Sequence, residues 1–165
     1  SILVSTSRQQ RGARSDFENY GDPETFGVVD CASRVQGQDE GGGDLVRYAS
    51  SPKNLTEVGV KFTDLVEQFQ DDGDDPAAVG VHSVSELLMY AETEQVYQFL
   101  RVLLAEAQGM DWPAVAVVDD DAAGEQAVTT LSQPFDAVVT TRRDDEGQSF
   151  RYHDAAGDQS DWVPF

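Results

Sequence analysis

The hydrophobic pattern is clearest in residues 77–107, where an apolar run leads into polar residues and then into amphipathic segments. The run Ala77–Val81 follows Pro76 and is short and rich in valine. Such runs are typical of a strand that is buried on both faces in a parallel sheet. His82 and Ser83 come directly after it, at the carboxyl end where parallel strands present functional groups.

Two helices are predicted after this strand. Ser83 and Glu86 have the spacing of a capping box, which predicts a helix over Val84–Ala91. Thr93 is a suitable N-cap for a second helix. Its apolar positions recur at the spacing of one buried helical face: Val96, Phe99, Leu100, Leu103 and Ala107. We expect Glu94, Gln98 and Arg101 on the solvent side.

The remaining periodic segments predict an alternation of strands and helices. Strands are predicted at Ile2–Ser5, Phe26–Cys31, Leu45–Ala49, Ala114–Val118, Ala137–Thr141 and Ser149–His153. Asn54 and Glu57 form a cap pair for a helix with the buried stripe Leu55, Val58, Phe62, Leu65 and Phe69, and a short helix is predicted at Ala123–Leu131. This order indicates an α/β fold with a mostly parallel sheet covered on both faces and a C-terminal β-hairpin.

Three polar stretches connect these elements. They are the glycine-rich loop Gln36–Asp44, the acidic connector Asp71–Pro76 and the turn Asp144–Gly147. At 165 residues, of which 39% are hydrophobic, the chain fits one domain with a real core. We expect this domain at residues 1–153, with 154–165 as a polar tail. Since Ser1 stands directly before a strand, we also expect a segment upstream.

Composition limits the classes of function. No stretch approaches the roughly 20 apolar residues of a membrane span, and no secretory signal opens the chain, so we expect a cytoplasmic protein. Cys31 is the one cysteine, which excludes an intramolecular disulfide and a cysteine-cluster metal site. We predict no resident metal.

The formal charge of −20 is the second strong signal. A surface with 31 acidic and 11 basic residues repels phosphate backbones and anionic lipid, so we expect neither direct nucleic-acid binding nor membrane binding. The main interpretation is adaptation to a salt-rich cytoplasm, where the charges are screened. A nucleic-acid mimic and a calcium buffer are the alternatives, although Asp71–Asp75 lacks the ligand spacing of an EF-hand loop.

Three parts of the chain carry a family resemblance. They are Val79–Leu88, Phe99–Arg101 and the strand ending Asp136–Val139. Together they resemble the RecA-type ATPase core, most closely the KaiC-like and RadA-like proteins and their uncharacterised relatives in halophilic archaea. This resemblance implies a three-layer RecA-like domain of the P-loop NTPase type.

The chain departs from that family where the chemistry would lie. RecA-type catalysis needs a glycine loop of the form GxxxxGK[ST] and an acidic residue that holds magnesium at the end of the Walker B strand. The chain has no such loop, and the acidic position corresponds to His82. Where KaiC-like proteins have a catalytic Glu pair, this chain has Thr6-Ser7-Arg8. A degenerate nucleotide site would then comprise Ser5, Thr6, Ser7, His82, Ser83 and Asp119.

Several of these residues have a simpler interpretation. His82 is a candidate base or ligand, but a lone histidine at a strand end is more often packed or hydrogen-bonded. Asp119–Asp121 could bind a cation, whereas an ordinary helix N-cap explains them as well. Cys31 is either a reactive thiol or a small buried filler.

The sequence therefore predicts a pseudo-ATPase: a catalytically degenerate RecA/KaiC-like domain without a cofactor, which acts as a regulatory or scaffolding protein through a protein partner or as a homo-oligomer. The alternative is a nucleotide-binding ATPase or switch that uses ATP with magnesium. Its phosphate loop would lie upstream of Ser1, and Asp119 or Glu86 would replace the lost metal ligand. A third possibility is a small-molecule site at the strand ends Ser5, His82 and Asp119.

Overall fold

The computed structural model describes residues 1–37, 41, 43–72, 78–144 and 147–165, without the side chain of Asp72. Its centre is a five-stranded, all-parallel sheet in the order β3-β2-β1-β4-β5. The strands are β1 (Ile2–Ser5), β2 (Gly27–Asp30), β3 (Val46–Tyr48), β4 (Val79–His82) and β5 (Ala114–Val117). The strand predictions for this sheet are confirmed: β1 matches at both ends, and the ends of the other strands differ from the predicted ones by at most two residues.

Six α-helices lie in the described residues: α1 (Gln10–Phe17), α2 (Leu55–Asp72), α3 (Val84–Leu88), α4 (Thr93–Gly109), α5 (Asp120–Ala123) and α6 (Glu125–Ser132). Helices α2 and α4 cover one face of the sheet with the predicted stripes, and they bury Ile2, Val4, Val79 and Val81 beneath them. Within the described part of the chain, none of the helices is both long enough and apolar enough to cross a membrane.

The opposite face of the sheet is covered over β1 and β2 by α1. Ala13 is buried there against Phe26 and Val28, and the ring of Phe17 stacks on Phe26 with centroids 4.2 Å apart. The sequence gives no apolar periodicity for α1, and no helix was expected in this segment. The outcome is a three-layer α/β domain, as predicted.

Strand β5 is exposed on one face. The expectation that the parallel sheet is covered on both faces was therefore wrong for this strand. Val115 and Val117 are 62% and 46% exposed, on the same face as Leu3 and Gly80. Strand β4 likewise alternates between buried and half-buried positions. An apolar run therefore marks these strands correctly, but it does not establish that a helix covers both of their sides.

The helix caps differ in part from the predicted ones. The Asn54–Glu57 pair is confirmed, because Glu57 N donates to Asn54 Oδ1 at 3.2 Å and Asn54 Nδ2 donates to Glu57 Oε2 at 3.1 Å. Ser83 precedes α3 without a side-chain cap bond, so its capping box is wrong, and α3 is shorter than expected.

Two further predictions of where helices begin and end were also wrong. The N-cap of α4 is Glu92, whose N–H donates to Gln95 Oε1 at 3.1 Å, and Thr93 is the first helical residue. The single helix expected at 123–131 is divided into α5 and α6 by Gly124, which has φ 79°.

A second, antiparallel sheet follows the parallel one. It consists of β6 (Ala137–Asp144), β7 (Gly147–Asp154) and β8 (Val163–Pro164), in that order. The predicted hairpin is confirmed, and residues 163–164 of the predicted polar tail form its third strand. Trp162 lies beside Arg142 and Arg151, whose guanidinium carbons are 4.1 and 4.9 Å from its ring centre.

Residue 77 and the connections predicted at 36–44, 71–76 and 144–147 fall wholly or partly outside the described residues.

Candidate functional site

The candidate site lies at the carboxyl edge of the parallel sheet, where β1 and β4 are neighbours. The direction in which successive strands are added to the sheet reverses between β1 and β4, so the loops that follow these two strands diverge. Open α/β sheets bind ligands in the crevice that forms at such a point. The register places Ser5 beside His82, and His82 beside Val117. Ser5, His82 and Val117 therefore lie in one row on the same face, and the structure brings together two of the predicted site residues.

Thr6 and Ser83 hold the two loops together. The hydroxyl of Thr6 donates to the carbonyl oxygen of Ser83 and accepts from its N–H, each at 2.8 Å. Thr6 N also donates to the carbonyl oxygen of His82 at 2.9 Å. The buried hydroxyl of Thr6 is thus used within the protein as both donor and acceptor.

The other two residues of the β1 loop differ in exposure. Ser5 is buried, and its hydroxyl donates to the carbonyl oxygen of Arg8 at 2.6 Å. Ser7 is exposed to solvent. His82 is half-buried, and its peptide bond to Ser83 is cis. Of the β1 loop residues predicted for the site, Ser7 is thus the one with an exposed side chain.

Asp119 approaches the same edge from β5. Its N–H donates to the hydroxyl of Ser85 at 2.8 Å, and its carboxylate accepts from Ala122 N at 3.1 Å as the N-cap of α5. The helix-cap interpretation of Asp119 is confirmed. The carboxylates of Asp119, Asp120 and Asp121 lie within 4.8 Å of one another and are exposed.

A half-open cavity of about 510 Å³ lies between α3, the start of α4 and α5, and of the predicted site residues only Ser83 and Asp119 line it. The carboxylates of Glu86 and Glu92 line it as well. None of its described lining residues is a lysine or arginine. The field at this cavity is consequently negative, which favours cations and opposes phosphate groups.

Asp30 is a buried polar residue that sequence reasoning missed. Its carboxylate accepts from Gln10 N at 2.7 Å, Ala32 N at 2.9 Å, Ser33 N at 2.8 Å and Ser33 Oγ at 2.6 Å. It closes the turn after β2 and anchors the start of α1. The only sequence signal was an aspartate at the end of a predicted strand.

Cys31 follows Asp30 and is fully buried. Burial, followed by the nearby charges of Asp30 and Glu57, raises the pKa of the Cys31 thiol to about 12. A thiol that stays protonated is a poor nucleophile, so the structure favours the filler interpretation over the reactive one.

Comparison with protein families places the chain in one of them. Residues 1–141 match the model of DUF7504, a family of unknown function. The chain belongs to DUF7504. No curated protein matches it.

Two solved structures share the fold of this DUF7504 chain. Uncharacterized protein PH0321 from Pyrococcus horikoshii, crystallised with an unknown peptide, is 12% identical, with a TM-score of 0.62 over 93% of this chain and 70% of its own. The KaiC-like protein PH0186 from Pyrococcus horikoshii OT3 is also 12% identical, with a TM-score of 0.58 over 93% of this chain and 65% of its own. At this identity the likeness shows the fold alone, and it confirms the predicted RecA/KaiC-like α/β class.

Proposed function

We propose that this DUF7504 chain is a catalytically degenerate RecA/KaiC-like domain that acts as a regulatory or scaffolding protein through protein contacts. The observation that carries the proposal is the negative cavity at the carboxyl edge. Glu86, Glu92 and Asp119 line it, with no positive charge among its described lining residues. Phosphoryl transfer depends on positive groups that neutralise the phosphates, and this cavity supplies the opposite charge.

The hydrogen bonds of the β1 loop support the same proposal. The Thr6 hydroxyl binds Ser83 in both directions, and the Ser5 hydroxyl binds Arg8. A hydroxyl that is satisfied inside the protein must break those bonds before it can hold a nucleotide or a hydrated magnesium ion. We therefore place Ser5, Thr6, Ser7, His82, Ser83 and Asp119 in a remnant of a nucleotide site that no longer binds a cofactor.

Protein contact is supported by a relative and by the surface. PH0321, which shares the fold, was crystallised with an unknown peptide. This chain exposes apolar side chains on β5 and on the antiparallel sheet, among them Val115, Val139 and Phe165. We propose a cytoplasmic, salt-adapted protein with a single domain, in which β8 extends the fold beyond the predicted boundary at residue 153. Its charge of −20 opposes direct nucleic-acid binding.

An active or switch-like NTPase is the second candidate. One observation favours it: Glu86 and Asp119 line the same cavity, so either carboxylate is available as a magnesium ligand in place of an acidic residue at His82. In that case a phosphate loop lies upstream of Ser1. Replacing Glu86 or Asp119 by the amide would then abolish turnover.

ATP turnover in multimolar potassium chloride tests the proposal. We expect no magnesium-dependent turnover by the wild type or by His82→Asp, because restoring one carboxylate does not restore the missing positive charge. Glu86→Gln and Asp119→Asn serve as matched controls. Wild-type turnover that either control abolishes would replace the proposal with the second candidate.

A further inference from the structure

A groove separates α2 from α4 on the face of the molecule where these two helices cover the parallel sheet. Its volume is about 720 Å³, and its floor contains the buried side chains of Phe62, Phe99 and Leu103. On its two lips, Val60 and Val102 are 54% and 66% exposed. Exposure of these valines to solvent is unfavourable, so burying them against an apolar partner surface stabilises the complex.

Gly59 also lines this groove, in the interior of α2. A Cβ atom built on Gly59 meets nothing within 4 Å, so the fold of the chain does not require glycine there. Glycine in a helix interior costs about 1 kcal/mol relative to alanine. What glycine provides at this position is space, because a second backbone can approach α2 closely where no side chain projects.

The charges along the groove define the complementary partner. Asp64, Glu94 and Glu106 line it, and no lysine or arginine does so among its described residues. Thr63 donates a hydrogen bond to Glu106 at 3.1 Å, while Lys61 lies 3.8 Å from Asp64. The apolar floor is thus bordered by carboxylates, which favour a ligand with apolar and positively charged positions side by side.

We propose that the α2–α4 groove binds a basic amphipathic helix of a partner protein. This proposal rests on the proposed function of the chain as a protein-contact domain. The apolar face of that helix covers the floor and the two valines, and its lysines or arginines meet Glu94 and Glu106, since Asp64 already lies near Lys61. A groove between two helices is a common receptor for such a helix. The stretch of α2 that lines it, residues 55–64, is about 15 Å long, which matches roughly three turns of partner helix.

A second copy of the chain is a poorer occupant. Each copy carries −20, with 11 basic against 31 acidic residues, so two copies repel each other where salt does not screen them. A foreign basic helix is attracted by the same field. Self-association through this groove is therefore an outcome that contradicts the proposal.

The probe is a synthetic, fluorescein-labelled amphipathic helix of about 16 residues, with leucine on one face and lysine on the other. Two control peptides accompany it: one of the same composition in scrambled order, and one with glutamate in place of lysine. We expect saturable binding of the lysine probe by fluorescence anisotropy and about tenfold weaker binding of either control at moderate salt. In multimolar salt, the preference for lysine over glutamate should shrink, while the preference over the scrambled peptide persists.

Glycine variants locate the binding surface. Gly59→Leu fills the groove and should weaken the binding of the lysine probe by about tenfold or more. Gly109→Leu is the matched control, because Gly109 ends α4 outside the groove and a Cβ there also meets nothing within 4 Å. Gly59→Ala should melt at a higher temperature than the wild type, which shows that the position tolerates a side chain. Thermal melts establish that each variant is folded.

The proposal is overturned if Gly59→Leu and Gly109→Leu lose binding of the lysine probe equally, if the scrambled peptide binds equally well, or if sedimentation equilibrium shows a wild-type dimer that Gly59→Leu dissociates. Binding that maps to the antiparallel sheet by NMR shift changes would contradict the groove and leave the protein-contact function standing. The ATP assay, which does not involve the groove, tests the proposed loss of catalysis separately.

Discussion

At the residue scale, Cys31 links burial to a measurable pH dependence. Burial raises the pKa of its thiol from 9.0 to about 12. Because the folded pKa is the higher one, the stabilising contribution is complete below pH 9 and is lost as pH rises from about 9 to 12, at about 1.4 kcal/mol per pH unit while only the unfolded thiol ionises.

We predict that Cys31→Ala shows a smaller alkaline loss of stability than the wild type, as measured by urea unfolding from pH 7 to 10. We also expect the wild-type thiol to react with a disulfide reagent only after unfolding. Rapid labelling of the folded protein at pH 8, or parallel alkaline slopes in both proteins, would show that the thiol ionises in the native state.

The sequence predicts where some residues of the candidate site lie, but it does not predict the hydrogen bonds that hold them. Ser5, His82 and Asp119 follow apolar runs, and strand ends of a parallel sheet meet at one edge, so their common location follows from the pattern. The Thr6–Ser83 bonds could not be foreseen, since they join residues 77 positions apart. The four bonds to Asp30 depend on where α1 starts, which the pattern does not reveal.

At the element scale, Asp30 determines whether α1 is held against the sheet. We predict that Asp30→Ala lowers the free energy of unfolding by roughly 3 kcal/mol or more, because it leaves buried N–H donors without partners. The free energy of unfolding of Asp30→Asn should lie between those of the wild type and Asp30→Ala. The amide oxygen still accepts some of the hydrogen bonds, but the amide NH₂ faces other donors. Urea unfolding gives the stability, and amide exchange of Gln10–Ala13 reports α1 itself.

Asp16→Ala is the control for this prediction. Asp16 lies on α1 and pairs with Arg8 at the surface, where both side chains are more than half exposed. Exposed pairs contribute about 1 kcal/mol or less. If Asp30→Ala were no more destabilised than Asp16→Ala, Asp30 would not be the anchor of α1.

The elements that were predicted share one property. Helices α2 and α4 bury a continuous apolar stripe, and such stripes are visible in the sequence. Helix α1 is the opposite case, because Ala13 and Phe17 are its only apolar side chains and tertiary contacts maintain it. The exposed side of β5 was missed for a related reason: valines indicate a strand, but the number of covering layers is a property of the assembled fold.

At the scale of the whole molecule, the charge of −20 predicts a dependence of folding on salt. Repulsion among 31 acidic residues opposes the compact state, and a Debye length near 3 Å at about 1 M salt screens most of it. We predict that the melting temperature rises from dilute buffer to multimolar potassium chloride, by about 2–4 °C for each kcal/mol gained.

Sucrose of matched osmolality is the control, because it strengthens apolar burial without screening charge. A larger rise in potassium chloride than in sucrose identifies screening as the cause. An equal or higher midpoint in dilute buffer would remove the salt-adaptation proposal.

Calorimetric titration with magnesium-ATP measures directly whether the carboxyl edge holds a nucleotide, which we propose it does not. Glu86, Glu92 and Asp119 make the cavity there negative, so a polyanion is repelled even where Ser83 is within reach. In multimolar potassium chloride, we expect no saturable heat of binding from the wild type or from His82→Asp. Saturable, magnesium-dependent binding that Asp119→Asn or Glu86→Gln removes would contradict it.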